Sequence, residues 1–152
     1  MQTPPPEPAP GSNVLFDVWL VSRSVNGLLD SALAASGLSA DEFAIYSVLR
    51  KGPLTPTQLA QWMSAPMTTV SSYIKRFEAR GHLRRAENAD DRRSYRLLLT
   101  DAGLAAHQRA GEMFLPVLRS VELSLGQATD TVRGSLSLLE ASLRQVADPE
   151  TP

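Results

Sequence analysis

The sequence contains no cysteine, which excludes disulfides, thiolate metal sites, thiol nucleophiles and thiol redox sensing. It also lacks a G-x-S-x-G motif, a Gly-rich phosphate loop and any cluster of metal-ligating side chains. Its two histidines, His82 and His107, lie far apart in the chain, so no zinc site is expected; His107 reads as a surface or pocket residue. These absences argue against an enzyme, a bound metal or a cofactor. No apolar run approaches the roughly 18 residues that span a bilayer. The opening "MQTPPPEPAPG" has neither a basic start nor an apolar run, so it does not read as a signal peptide, and the expected location is cytoplasmic. Overall charge of one sign is also lacking, since the net value is -1.

The 152 residues, 43% of them hydrophobic, suffice for one domain with a buried core. Residues 1–11 are Pro-rich and are expected to form a disordered tail. From Asn13, Val14, Val18, Val21, Val25 and Leu28 recur at helical spacing, predicting a first helix to about Ala35 that stops at Gly37. Ser39 and Glu42 are spaced as a capping box for a second helix, ended by Gly52-Pro53. Thr55, Pro56 and Gln58 repeat that start signal for a short third helix to about Met63.

After a break at Ser64 to Pro66, a fourth helix is predicted from about Met67 to Arg80, its apolar face carrying Val70, Tyr73, Ile74 and Phe77. "HLRRAE" and "SYRLLL" read as two short strands. Thr100 then caps a long helix that Pro116 should kink or split, and a last helix follows Thr129. The fold class is therefore mainly α with a small β-hairpin. Two short helices, a tight turn, a longer helix and a basic hairpin follow the order of a winged helix-turn-helix.

Charge is unevenly placed. Between Tyr73 and Arg96 eight basic side chains face four acidic ones, a local +4 that leaves -5 for the rest of the chain. Such a segment is an electrostatic footprint for a polyanion. On the fourth helix the face opposite Val70 carries Thr68, Ser72 and Lys75, with Met67 and Ser71 toward its edge. Small hydroxyl side chains there can reach base edges or phosphates, although they suit simple solvation equally well. In the hairpin, an arginine at the tip can enter a minor groove, and a neighbouring carboxylate can pre-order the loop. Arg93 and Asp91 have that spacing, while a solvated turn with incidental charges remains open.

The stretch from Leu54 to Gly103 resembles the DNA-binding core of MarR-family transcriptional regulators. The resemblance rests on Leu59-Ala60, "TTV" at Thr68 to Val70, "EARGHLRR" at Glu78 to Arg85, "DRRS" at Asp91 to Ser94 and "LTDAG" at Leu99 to Gly103. It implies a homodimeric repressor on a palindromic double-stranded operator. The implied DNA-binding residues are Met67, Thr68, Thr69, Ser71, Ser72, Lys75 and Arg76 on the recognition helix, and Asp91, Arg92 and Arg93 on the wing. In such proteins the residue matching Arg93 reaches the minor groove and the aspartate matching Asp91 steadies it. This chain departs from the family by placing Pro66 and Met67 where a polar N-cap and a basic residue are common.

The expected organisation is a single MarR-like domain over residues 12–148. Its DNA-binding lobe spans about residues 39–100, between dimerisation helices at about 13–36 and 101–147. Phe16, Trp19 and Leu29 lie outside the main stripe of the first helix, and Val132, Leu136, Leu139, Leu143 and Val146 form a coiled-coil-like seam on the last. The resemblance also implies a small-molecule effector, for which Trp19, Phe43, Tyr46 and Met113 could line a pocket. A winged-helix protein-interaction module that never touches DNA is the alternative.

Overall fold

A computed structural model describes residues 10–147; the expected Pro-rich tail lies, up to residue 9, outside the described residues. Helix α1, Val14–Leu33, starts at Asn13, whose side chain accepts from the Phe16 amide. A 3-10 turn, Ala34–Ser36, carries the chain to Gly37 at φ 79°, a left-handed stop that glycine adopts without a Cβ clash. Helix α2, Ala40–Lys51, opens on the Ser39–Glu42 capping box, and α3, Pro56–Met63, on the Thr55–Gln58 box with Pro56 in its first turn. Ser64, left-handed at φ 49°, makes the turn into α4, Met67–Ala79. Strands β1, Leu83–Glu87, and β2, Tyr95–Leu99, pair antiparallel with Leu83 opposite Leu99 and Glu87 opposite Tyr95. A third element is absent from the sequence reading: the Leu97 amide donates to the Leu54 carbonyl at 2.7 Å, so the loop between α2 and α3 borders the hairpin.

The core gathers one face from each of these elements: Leu33, Leu38, Ile45, Tyr46, Leu49, Leu59, Val70, Ile74, Phe77, Leu83 and Leu97, all buried. Val70, Ile74 and Phe77 are the inward stripe expected of α4. Helix α5, Asp101–Leu125, adds Ala106 and Ala110. It starts at Thr100, whose Oγ1 accepts from the Gly103 amide and donates to the Gly81 carbonyl. Gly103 lies against the His82 backbone so closely that a Cβ there would fall 2.2 Å from the His82 carbonyl oxygen.

Two expectations are corrected here. Of the kink or split expected at Pro116, the split does not occur: helix α5 runs unbroken from Asp101 to Leu125. A proline removes one main-chain hydrogen bond, at a cost of about 3 kcal/mol, and the turns on either side keep the helix continuous. His107 is not a surface residue. It is buried, stacks on Phe43 at 5.1 Å and shares a hydrogen bond with the Ser47 hydroxyl at 2.9 Å. Burial and the Arg50 charge hold its pKa below the ordinary value.

The chain divides into two units between Phe114 and Leu115, beside Pro116. The first holds α1 through the first half of α5. The second holds the rest of α5, a 3-10 turn at Gly126–Ala128 and α6, Thr129–Ala147. Helix α1 buries only Leu33, and α6 buries no residue.

Glu42 is the buried charge of the first unit, its side chain only 4% exposed. Its carboxylate accepts from Arg76 Nη1 at 3.1 Å, Arg80 Nη1 at 3.0 Å and the Ser39 amide at 3.2 Å. Burial pushes its pKa up, but Arg80, the Ser39 amide and Arg76 together outweigh burial and hold it below the ordinary 4.5. A carboxyl with a depressed folded pKa contributes stability that is complete above its unfolded pKa and is lost as pH falls through the folded value. Glu42→Gln is expected to lower unfolding stability by about 2 kcal/mol at neutral pH. The difference from wild type should shrink in urea titrations taken below about pH 4.

Candidate nucleic-acid interface

Helix α4 presents the residues expected to face DNA. Pro66 stands at its N-cap without a side-chain cap. Met67, 46% exposed, begins the helix, and Thr68, Thr69, Ser71, Ser72 and Lys75 are all exposed. Thr68, Thr69, Ser72, Tyr73 and Arg76 line a shallow, open recess of about 360 Å³. The buried stripe of Val70, Ile74 and Phe77 fixes the rotation of the helix, so this hydroxyl-rich face turns outward because the opposite face is needed for the core.

The positive window resolves into two groups once side chains are placed. Arg76 and Arg80 bind Glu42, Arg85 binds Glu78 at 2.6 Å, and Arg96 binds Asp90 at 2.7 Å. Lys75, Arg84, Arg92 and Arg93 form no ion pair among the described residues and are exposed. Arg76, expected from the sequence at the DNA face, is thus engaged with α2; its guanidinium also lies 5.3 Å from the Tyr73 ring centre. Arg85 bridges β1 to α4 through Glu78 and covers Tyr95 of β2, 4.4 Å from its ring centre.

At the wing tip the chain makes two successive turns, with the Asp91 amide on the Asn88 carbonyl at 3.3 Å and the Ser94 amide on the Asp91 carbonyl at 3.0 Å. Asp91 Oδ1 accepts from the Arg93 backbone amide at 2.9 Å. The aspartate therefore holds the loop through its main chain and leaves the Arg93 guanidinium uncompensated. Arg92 lines a depression with Glu87, Asn88, Ala89 and Ser94.

Two residues that support the wing were not singled out from sequence. Asn88, buried at 7% exposure, accepts from the Asp90 amide at 3.3 Å and from Arg96 Nε at 3.1 Å. Arg96 joins it to Asp90 across the hairpin. An asparagine leaving a strand, with a carboxylate two residues on, is the local sign of such a turn. Asp91→Ala removes the brace from the Arg93 amide and should weaken duplex DNA binding about fivefold through the entropy of re-ordering the tip. The melting temperature should stay within about 2 °C, because the aspartate is exposed. Asp91→Asn keeps the acceptor and is expected to bind at least as tightly as wild type. Fluorescence anisotropy on a labelled duplex would read both.

The four side chains expected to line an effector pocket are not equivalent. Tyr46 is fully buried, edge-on to Phe77 at 4.7 Å, with its hydroxyl 3.0 Å from His82 Nδ1. It belongs to the core rather than to a pocket wall, because burying the ring requires its hydroxyl to find an internal partner. Burial and the nearby Arg80 and Arg109 charges lower the His82 pKa, which favours the neutral imidazole for that bond. Trp19 is 51% exposed and stacks on Phe16 at 5.7 Å. Phe43 is half-buried against His107 and Phe114, and Met113 packs at the edge of the core.

Comparison with known proteins agrees with this architecture. The MarR family model matches residues 36–94, from the end of the first 3-10 turn through the wing tip. The HTH-type transcriptional regulator PecS of Dickeya dadantii is 34% identical over 96 residues, 60% of this chain and 58% of PecS. The chain therefore aligns with little more than half the length of that relative. The transcriptional regulator MosR of M. tuberculosis, solved in complex with DNA, superposes with a TM-score of 0.74 at 26% identity. That superposition covers 88% of this chain and 98% of MosR. Apo MarR from E. coli shares the fold, with a TM-score of 0.69 at 22% identity over 87% and 98% of the two chains. A helix-turn-helix with a paired-strand wing, these motifs and the match over residues 36–94 make the chain similar to the MarR family of winged-helix transcriptional regulators.

Proposed function

We propose that the protein is a sequence-specific transcriptional regulator that binds a palindromic double-stranded operator as a homodimer and acts as a repressor. One observation carries this reading. The exposed hydroxyl face of α4 lies in the same unit as a wing whose Arg93 charge is free while Asp91 ties down its backbone. Helix α4 enters the major groove, where Thr68, Thr69, Ser71 and Ser72 meet base edges and phosphates and Lys75 meets a phosphate. Arg93 enters the adjacent minor groove, where the potential is most negative.

The dimer is supported by exposed apolar surface on two helices. Helix α1 exposes Val14, Leu15, Phe16, Trp19, Val21, Val25 and Leu28, including most of the stripe that would otherwise face a core, and α6 exposes Leu136, Leu138, Leu143 and Val146. Such surface on a single chain marks an association face, and a palindromic operator requires a two-fold protein. The reading extends to a small molecule that lowers DNA affinity, which must prefer the arrangement with misplaced recognition helices. With Tyr46 assigned to the core, Trp19, Phe43 and Met113 are left to receive it.

The test is selection of duplex DNA from a random pool, followed by titration across salt concentrations. Affinity should fall steeply with salt, by roughly one unit of log-log slope per phosphate neutralised. Lys75→Ala should reduce that slope by about one while leaving sequence preference intact. Failure to enrich any duplex would instead favour a protein-interaction module.

A further inference from the structure

The recognition face of α4 is unusual in what it can offer a base. Arginine reads guanine through two parallel hydrogen bonds, and asparagine or glutamine reads adenine the same way. Helix α4 has no asparagine or glutamine. Its arginine, Arg76, donates to the buried Glu42 carboxylate at 3.1 Å and lies over Tyr73. On a wheel of 100° per residue it sits about 120° from Val70, next to Thr69 at about 100°, whereas Met67, Ser71 and Lys75 lie on the other side and Thr68 nearly opposite Val70. Serine and threonine hydroxyls bond donors and acceptors alike, so they discriminate weakly between bases. With Lys75 placed on a phosphate, what remains is apolar. Met67 exposes a thioether side chain at the first position of the helix, and exposed Thr68 and Thr69 each carry a γ-methyl group.

We propose that α4 selects its operator by packing Met67 and the methyl groups of Thr68 and Thr69 against thymine C5-methyl groups in the major groove. This rests on the DNA-binding reading above and adds the base it recognises and the group it touches. Thymine is the base that presents a methyl group to that groove, and an apolar side chain or a threonine methyl is its natural complement. A methionine suits the role because its flexible thioether adapts to an irregular apolar surface. Its exposure in the free protein is then the cost of keeping that surface available.

The experiment uses the full chain and a fluorescein-labelled duplex selected by the protein from a random pool. Each thymine of one half-site is replaced in turn by uracil, which keeps the pairing and lacks only the methyl group. At one or more positions uracil should weaken binding about fourfold, the factor for one buried methyl-sized group. Met67→Ala, or Thr68→Ser and Thr69→Ser for the neighbouring positions, should lose a similar factor on the thymine duplex. Each should then be insensitive to uracil at the matching position, since a contact already removed cannot be lost twice. Binding that stays strong and salt-sensitive with no uracil effect overturns the proposal while leaving the DNA-binding reading intact. A uracil effect that persists unchanged in all three variants also overturns it, by placing the methyl contact elsewhere. Failure to bind any selected duplex overturns both.

Discussion

Gly103→Ala is expected to be among the most damaging single-methyl additions to this protein, lowering stability by about 3 kcal/mol or more. The added Cβ would meet the His82 carbonyl oxygen at 2.2 Å and the His82 carbonyl carbon at 3.1 Å. Both are backbone atoms, so no side-chain rotation relieves the clash. The same carbonyl accepts from the Thr100 amide at 3.0 Å, and the Thr100 hydroxyl donates to the Gly81 carbonyl. Moving α5 outward would therefore break the joint between the start of α5 and the entry to β1. The expected readout is a fall in melting temperature of about 10 °C. Gly111→Ala, in the same helix with nothing within 4 Å of its added Cβ, should instead be neutral or stabilising by up to about 1 kcal/mol. Equal melting temperatures for the two variants would refute the close-approach argument.

Arg93→Ala is expected to weaken operator binding about 30-fold, on the order of 2 kcal/mol, without a change in melting temperature. The guanidinium is exposed and forms no ion pair among the described residues, so its removal disturbs no internal contact. A minor groove narrowed by A·T pairs concentrates negative potential, and an arginine sheds its hydration there more readily than a lysine. Wild type should accordingly prefer A·T over G·C flanks outside the major-groove half-sites, a preference that disappears in Arg93→Ala. Arg93→Lys should fall between the two. Anisotropy titrations at one fixed salt concentration measure all three, and an Arg93→Ala protein that binds like wild type would sink the wing assignment.

These two residues show different degrees of legibility. Arg93 was readable because its neighbours are local: a turn signal, an aspartate two residues earlier and strands on either side. Gly103 belonged to a motif that the sequence displayed, yet its role depends on His82, a residue distant in the chain that only folding brings beside it. Arg76 is the converse case. Its position on α4 and its charge pointed to DNA, and only the fold shows that Glu42, equally remote in sequence, also pairs with it while half of its side chain stays exposed. Asp90 likewise takes its role from the fold, where Arg96 of the facing strand pairs with it.

Periodicity and capping in the sequence alone determined the order of the helices and where most of them start. Both signals act over three or four residues along the chain and need no tertiary partner. The same locality determined the hairpin and the Asp91–Arg93 turn. Tertiary structure decided which charges are spent inside the fold and which stay free, that Tyr46 and His107 are core residues, and that Leu54 borders the wing. It also decided that α5 continues past Pro116. Each of these outcomes depends on burial or on a partner far away in sequence, and the free energy of a buried charge, hydroxyl or ring is set by those neighbours rather than by its place in the chain.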